Sequence, residues 1–274
     1  MKGKWIFAVV MVAYYELVVG SSSFFGKGDQ VVRVSCTEEQ AAVIEDQWHR
    51  GEMDLDLWVD AIPRSGEFDI RVSDDAREWL EHIGVKVTTK IADVTAVVKA
   101  ERERLAKRPR ADPTDPVAWF SDYRTWEEIQ EFVTTMAAEY PDLAQVKEIG
   151  TTYYGLPIRG LVMSGEGDPA AKPQVVLNGL QHAREWISGA TMQYISYSLL
   201  SNYTTNSTVR EMLDHFTFSI FPVINGDGYN YTWTERRLWR KNLAPAPNGE
   251  DCKGVDINRN WGYRFDTGGA SDRP

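Results

Sequence analysis

Cysteine and histidine are scarce in this chain of 274 residues, with two Cys (Cys36 and Cys252) and four His. Two cysteines cannot make a disulfide scaffold or a cysteine zinc cluster, which excludes small stapled folds and zinc fingers. Four histidines leave so little metal-binding material that the place of each one matters. Positive charge is also short. Lys and Arg number 30 against 40 Asp and Glu, a formal net charge of -10 at pH 7. Such a chain repels a polyanion on average and argues against a nucleic-acid partner, although a local basic patch is compatible with it. Beyond the amino end no apolar run is long enough for a membrane helix. Apolar residues nevertheless make up 43%, with 10 Trp and 12 Tyr. That excludes disorder and collagen-like sequence, and the length suits two folding units.

The amino end has the three parts of an export signal. Lys2 and Lys4 precede the apolar run from Trp5 to Tyr15, and the small residues Val18-Val19-Gly20-Ser21-Ser22-Ser23 follow. The run is too short to span a bilayer, and Glu16 interrupts it. A buried amino-terminal helix is the alternative. Residues 1–22 are expected to be a signal peptide, removed after about Gly20 or Ser22, which leaves a secreted, extracellular protein with no membrane contact. Sequons at Asn202, Asn206 and Asn230 are consistent with secretion.

Residues 29 to 99 alternate in a legible order. Gln30–Cys36 reads as a strand, and Thr37-Glu38-Glu39-Gln40 as a capping box opening a helix to about Trp48. Two alternating runs, 55–62 and 67–72, flank the turn Pro63-Arg64-Ser65-Gly66. Ser73 then caps a helix through His82, Gly84 stops it, and residues 85–91 form the last strand. The β-α-β-β-α-β order is ferredoxin-like, an arrangement that names no function by itself. His49 and His82 read as surface helix residues. A charged helix over 93–106 leads to Lys107-Arg108-Pro109-Arg110, in a stretch where Pro109, Pro113 and Pro116 break any helix. This basic cluster suits an exposed linker that a trypsin-like or kexin-like protease would cut; an ordinary solvated linker fits as well. The expected organisation is residues 23–92 for the ferredoxin-like unit, 93–115 for the connection and 116–274 for the second unit.

Strands alternate with helices in the second unit, which indicates an α/β sandwich with a largely buried sheet. An amphipathic helix covers 125–140, strands are expected over 143–149, 157–163, 174–180 and 215–224, and a helix over 187–200. In such sheets ligands collect at the carboxyl ends of strands. His182 and Glu185 follow one such end, and Asn225-Gly226-Asp227-Gly228-Tyr229 follows another. A His and a Glu three positions apart, where a turn opens a helix, can converge on one ion, and an imidazole with a carboxylate suits zinc. A solvated helix pair has the same spacing. His215 reads as structural.

These residues, with the motifs around them, resemble the zinc carboxypeptidases of the A/B (funnelin) type, which are secreted as zymogens. The resemblance rests on Gly28-Asp29-Gln30-Val31-Val32-Arg33-Val34, Gly155-Leu156-Pro157-Ile158, His182-Ala183-Arg184-Glu185-Trp186, Asn225-Gly226-Asp227-Gly228-Tyr229, Leu238-Trp239-Arg240-Lys241 and Gly254-Val255-Asp256-Ile257-Asn258-Arg259-Asn260-Trp261. It implies a ferredoxin-like pro-segment followed by a carboxypeptidase-like α/β/α sandwich with a mixed central sheet. It also implies one Zn²⁺ with His182 and Glu185 as metal ligands and Arg240 as the catalytic residue that stabilises the oxyanion. Asn258 and Arg259 would hold the free carboxylate of a peptide or protein substrate, and Arg184 would contact substrate further from that end. Asp256 could partner a metal-bound imidazole or be a simple turn residue.

The chain stops at Pro274, and no histidine follows His215. In the family the third zinc ligand, a general-base glutamate, a mobile tyrosine and the lining of the side-chain pocket all lie further on. The sandwich is therefore expected to be incomplete, and the chain on its own inactive. Cys252 resembles one half of a family disulfide whose partner would fall past Pro274, whereas Cys36 has no evident partner. Gly226 stands where the family usually has proline, a change expected to loosen that loop. The alternative to an enzyme is a secreted pseudopeptidase, a non-catalytic binding protein on the same scaffold.

Overall fold

Two sheets organise the chain in a computed structural model that describes residues 6–7, 28–59, 62–245, 253–263 and 265. Among these, 28–103 and 259–265 fall in one compact unit, and 6–7 with 104–258 in the other. The first two-residue strand, β1 (Ile6–Phe7), belongs to the second unit. The rest of the expected signal peptide lies outside the described residues.

The first unit contains β2 (Gln30–Cys36), α1 (Glu38–Arg50), β3 (Leu55–Leu57), β4 (Gly66–Val72), α2 (Asp74–His82) and β5 (Lys86–Ile91). Its sheet has the order β3-β4-β2-β5, antiparallel throughout. This is the ferredoxin-like topology that the alternation predicts. Both helices start on the expected caps. Thr37 and Gln40 exchange the two bonds of a capping box, and Ser73 accepts from Ala76 N–H. Ala41 and Ile44 of α1, with Ala76 and Leu80 of α2, share one core with Val32, Val34, Phe68, Ile70 and Val72. Both helices therefore cover the same face of the sheet. On the strands, Arg33 pairs with its cross-strand partner Asp69 at 2.7 Å, and Arg71 is buried among Asp29, Asp54 and Asp56. The strand expected over 55–62 ends at Leu57, where pairing with β4 stops; residues 60 and 61 lie outside the described ones.

α3 (Val94–Lys107) leads into the second unit. The linker after it is less free than its prolines predict. Lys107 and Arg110 are exposed, but the Arg108 side chain is only 12% exposed. It binds both carboxylate oxygens of Glu128 and stacks over Trp233. Arg110 likewise reaches Glu131. Glu128 also closes the capping box of Thr125 at the start of α5. Burial alone would raise the Glu128 pKa, but Arg108 and the Thr125 N–H outweigh it and hold the carboxyl below its usual range. A depressed pKa contributes stability above the unfolded value, about 4.3, and loses it as pH falls through the folded value. Glu128→Gln is expected to cost about 1–2 kcal/mol at pH 7. By urea unfolding, that difference should shrink progressively as pH falls from about 4.3 through the lower folded value; a deficit that stays constant through acid titration would refute the assignment.

The second unit continues with α4 (Pro116–Trp119), α5 (Trp126–Glu139), β6 (Ala144–Thr151), β7 (Pro157–Met163), β8 (Gln174–Asn178), α6 (Trp186–Ser201), α7 (Ser207–His215), β9 (Thr217–Phe221) and α8 (Gly226–Thr234). The sheet order is β1-β8-β9-β7-β6, parallel from β1 to β9 and antiparallel beyond, so the sheet is mixed as expected. Phe132, Val133 and Met136 of α5, Met192 and Leu199 of α6 and Leu213 of α7 pack on Leu161, Met163, Leu177, Phe218 and Ile220. On the opposite face Val162, Val176 and Ser219 are only half-buried. Three helices were not anticipated. Pro116, expected to break any helix, instead opens α4 behind the Asp115 cap, where its missing N–H costs nothing. Asn206 caps α7, so His215 ends a helix and does not open a strand, and β9 begins only at Thr217. Asn225 caps α8 across a Gly-Asp-Gly run that reads as a loop.

Candidate metal and substrate site

The carboxyl ends of β8 and β9 lie side by side, and the candidate residues gather there. Gly179 N–H donates to Phe221 O at 2.9 Å, and then Leu180 takes a left-handed conformation with φ of 52°. That backbone costs a branched residue about 1–2 kcal/mol. Burial of its side chain offsets the cost, together with Leu180 N–H on Ser188 Oγ at 2.9 Å. Gly189 makes room for it, since a Cβ there would lie 2.5 Å from Leu180 Cδ1. The turn at Leu180 ends the expected strand two residues early and points the chain toward His182.

His182 is 3% exposed and held by both ring nitrogens. Nδ1 lies 2.9 Å from Glu185 Oε1, and Nε2 lies 3.2 Å from Asp256 Oδ1. Burial alone would lower the His182 pKa, but bonds to Asp256 and Glu185 raise it above the ordinary value. Burial would raise Asp256, yet His182 and Arg240 hold its carboxyl well below the usual carboxylate range. Arg240 Nε donates to Asp256 Oδ2 at 2.9 Å, and its Nη1 lies 3.9 Å from Glu185 Oε1. Glu185 occupies the N-cap position of α6 without making a capping bond, because its carboxylate turns to His182. Asp256 is therefore more than a turn residue: it joins the imidazole to the guanidinium.

The remaining candidates sit on the same segments. Asn258 N–H donates to Asp256 Oδ1 at 2.9 Å, and Asn258 and Arg259 complete the 3₁₀ turn Ile257–Arg259, both half-buried. Arg184 is half-buried between the two expected metal ligands. Cys252 lies outside the described residues. Gly226 is buried, and a Cβ there would come within 3.1 Å of Trp126 Nε1, so the indole fills space a proline would need.

Sequence reasoning missed the packing that fixes this segment. Trp186 stacks on Trp233 at 4.3 Å, and the buried Arg237 lies 3.6 Å from the same ring centroid. One ring face cannot hold both, so the indole is sandwiched. Its Nε1 donates to Thr232 Oγ1, while Arg237 Nη1 donates to Arg184 O at 2.9 Å. An arginine beside an aromatic run gives no hint of this in sequence; only the tertiary contact of Thr232, Trp233 and Arg237 with Trp186 creates it.

The donor chemistry fits a divalent ion in part. Among the described residues, no group of three His, Cys, Asp or Glu side chains is disposed to hold a metal. The reason is geometric: Asp256 lies on the Nε2 edge of the ring and Glu185 on the Nδ1 edge, so the three cannot share one ion. His182 Nδ1 and Glu185 Oε1 do converge, and a carboxylate on the other ring nitrogen is the usual companion of a metal-bound imidazole.

A buried strand-end imidazole is thus paired with a helix-opening carboxylate beside a fixed guanidinium. The family model described as zinc carboxypeptidase matches residues 129–274, and the chain belongs to that family of peptidases. It is 31% identical to carboxypeptidase A1 of Rattus norvegicus over 272 residues, covering 97% of this chain and 64% of that protein. It is 39% identical to carboxypeptidase B of Astacus astacus over 155 residues, covering 57% of this chain and 50% of that protein. The solved carboxypeptidase A of Helicoverpa armigera matches with a TM-score of 0.74 at 29% identity, covering 88% of this chain and 59% of that one. The chain thus spans between half and two thirds of the length of these relatives. No helix among the described residues is long and apolar enough to cross a membrane.

Proposed function

We propose that the full-length protein is a secreted zymogen whose mature form is a zinc-dependent metallocarboxypeptidase. The observation that carries this is the His182 ring, with Nε2 held by Asp256 and Nδ1 converging with Glu185 Oε1. Asp256 fixes the ring so that its Nδ1 lone pair is the one offered to a cation. His182 and Glu185 are two of the three expected ligands, and two alone would hold zinc weakly. When bound, zinc would polarise the scissile carbonyl and make a water nucleophilic near neutral pH. Arg240 stabilises the oxyanion, and Asn258 with Arg259 clasps the free terminal carboxylate, for which a guanidinium fork is well shaped. Arg184 contacts substrate further from the terminus. The ferredoxin-like unit is the pro-segment, released by a trypsin-like or kexin-like protease that cuts near Lys107 to Arg110.

Two measurements test this reading on the activated, full-length protein. It should release single carboxyl-terminal residues from peptide acids, spare the amidated peptides, and stop when a chelator is added. Equal rates on acids and amides would remove the role given to Arg259. Zinc-independent release would remove the metal from the reading, and no release would remove the enzyme and leave the binding-protein reading in its place.

A further inference from the structure

We infer that Asn225 is a positioning residue: its side-chain amide clamps together the segments that carry His182 and Arg240. Asn225 is 2% exposed. Its Nδ2 donates to Gln181 O and to Lys241 O, each at 3.1 Å, and its Oδ1 accepts from Gly228 N–H at 3.0 Å. One amide therefore uses both donor hydrogens and an acceptor site. Reversing the amide would set its oxygen against two carbonyl oxygens, so the orientation follows from the network.

The two carbonyls belong to the residue before His182 and the residue after Arg240. The Asn225 backbone N–H adds a third tie, to Leu180 O at 3.1 Å, on the strained residue that turns the chain into the site. Ala183 N–H on Arg240 O, at 3.0 Å, is the neighbouring link between the same two segments. His182 and Arg240 meet at Asp256, so a shift in either segment changes how Asp256 is shared between them. Asn225 touches none of the reacting groups. It acts through the two it holds, and its consequence for zinc rests on the function proposed above.

Asn225→Asp separates this role from capping, because aspartate keeps the acceptor for Gly228 N–H but loses both donors. In the full-length protein its unfolding temperature should fall, because a buried carboxylate oxygen then faces the Gln181 and Lys241 carbonyls. Amide hydrogen exchange should rise by about tenfold over residues 180–183 and 239–242, with little change elsewhere. Zinc affinity, measured by competition with a chromogenic zinc indicator, should fall by about 10- to 100-fold. Asn225→Ala, which also removes the cap, should show the same losses and a lower unfolding temperature. If Asn225→Asp binds zinc as tightly as the original and exchanges no faster in those segments, the clamp is refuted and Asn225 is a helix cap only. If the unaltered protein takes up no zinc while Asn225→Asp still loosens both segments, the clamp stands and the enzymatic reading falls.

Discussion

Arg240→Ala is expected to lower kcat of the activated, full-length protein on a peptide acid by about 100- to 1000-fold, with little change in KM. A fixed cation beside the reacting carbonyl matters most when negative charge develops there, so its loss falls on the transition state. The structure shows why this guanidinium is preorganised. Asp256 binds its Nε at 2.9 Å, and Ala183 N–H binds its carbonyl at 3.0 Å, so neither side chain nor backbone is free to drift. Arg240→Lys should restore only part of the rate, because an ammonium keeps the charge but not the fork that also meets Asp256. Steady-state kinetics on matched peptide acids decide the matter. A rise in KM at constant kcat would move Arg240 to ground-state substrate binding.

The largest expected loss of stability is in the first unit, at Arg71. Its side chain is 4% exposed and meets Asp29 at 2.8 Å, Asp54 at 2.7 Å and Asp56 at 3.5 Å. Burial alone would lower the guanidinium pKa, but the three carboxylates outweigh it and hold it above the ordinary value. Arg71→Ala would leave Asp29, itself 1% exposed at the side chain, as a buried charge without its cation. Breaking such a group by removing one partner costs about 3–5 kcal/mol. Urea unfolding of the full-length protein should show an earlier transition for this unit, and Asp29→Asn in the same chain should recover part of the loss. A cost under about 1 kcal/mol would mean that water solvates Asp29 as well as Arg71 does.

Much of this was legible because local physics and tertiary structure agree. Thr37 and Ser73 cap helices where they are expected to, and the helix expected from residue 125 starts on a Thr125 cap. The missed helices show where that agreement fails. The Gly226-Asp227-Gly228 run carries a turn signal, yet Asn225 caps it and Tyr229 packs beneath Trp186 and Trp233, so packing overrides propensity. The strand expected to reach Leu180 stops at Asn178 because a left-handed backbone at a leucine has no signature in sequence. Arg108 illustrates the converse, since prolines and charge predict a free linker but a facing glutamate and an indole capture the side chain.

Sequence by itself determined the residue types on offer: one imidazole and one carboxylate three apart after an apolar strand, an Arg after a Trp, and a ferredoxin-like alternation ahead of them. Those are matters of spacing and period, which act within a few residues. Only the tertiary structure decided that Asp256 takes the Nε2 edge of His182, that Glu185 forgoes its cap to face Nδ1, and that Arg237 and Trp233 enclose Trp186. Apart from the His182–Glu185 pair, these contacts join residues about 50 to 75 positions apart in the chain, and nothing local to either partner specifies the other.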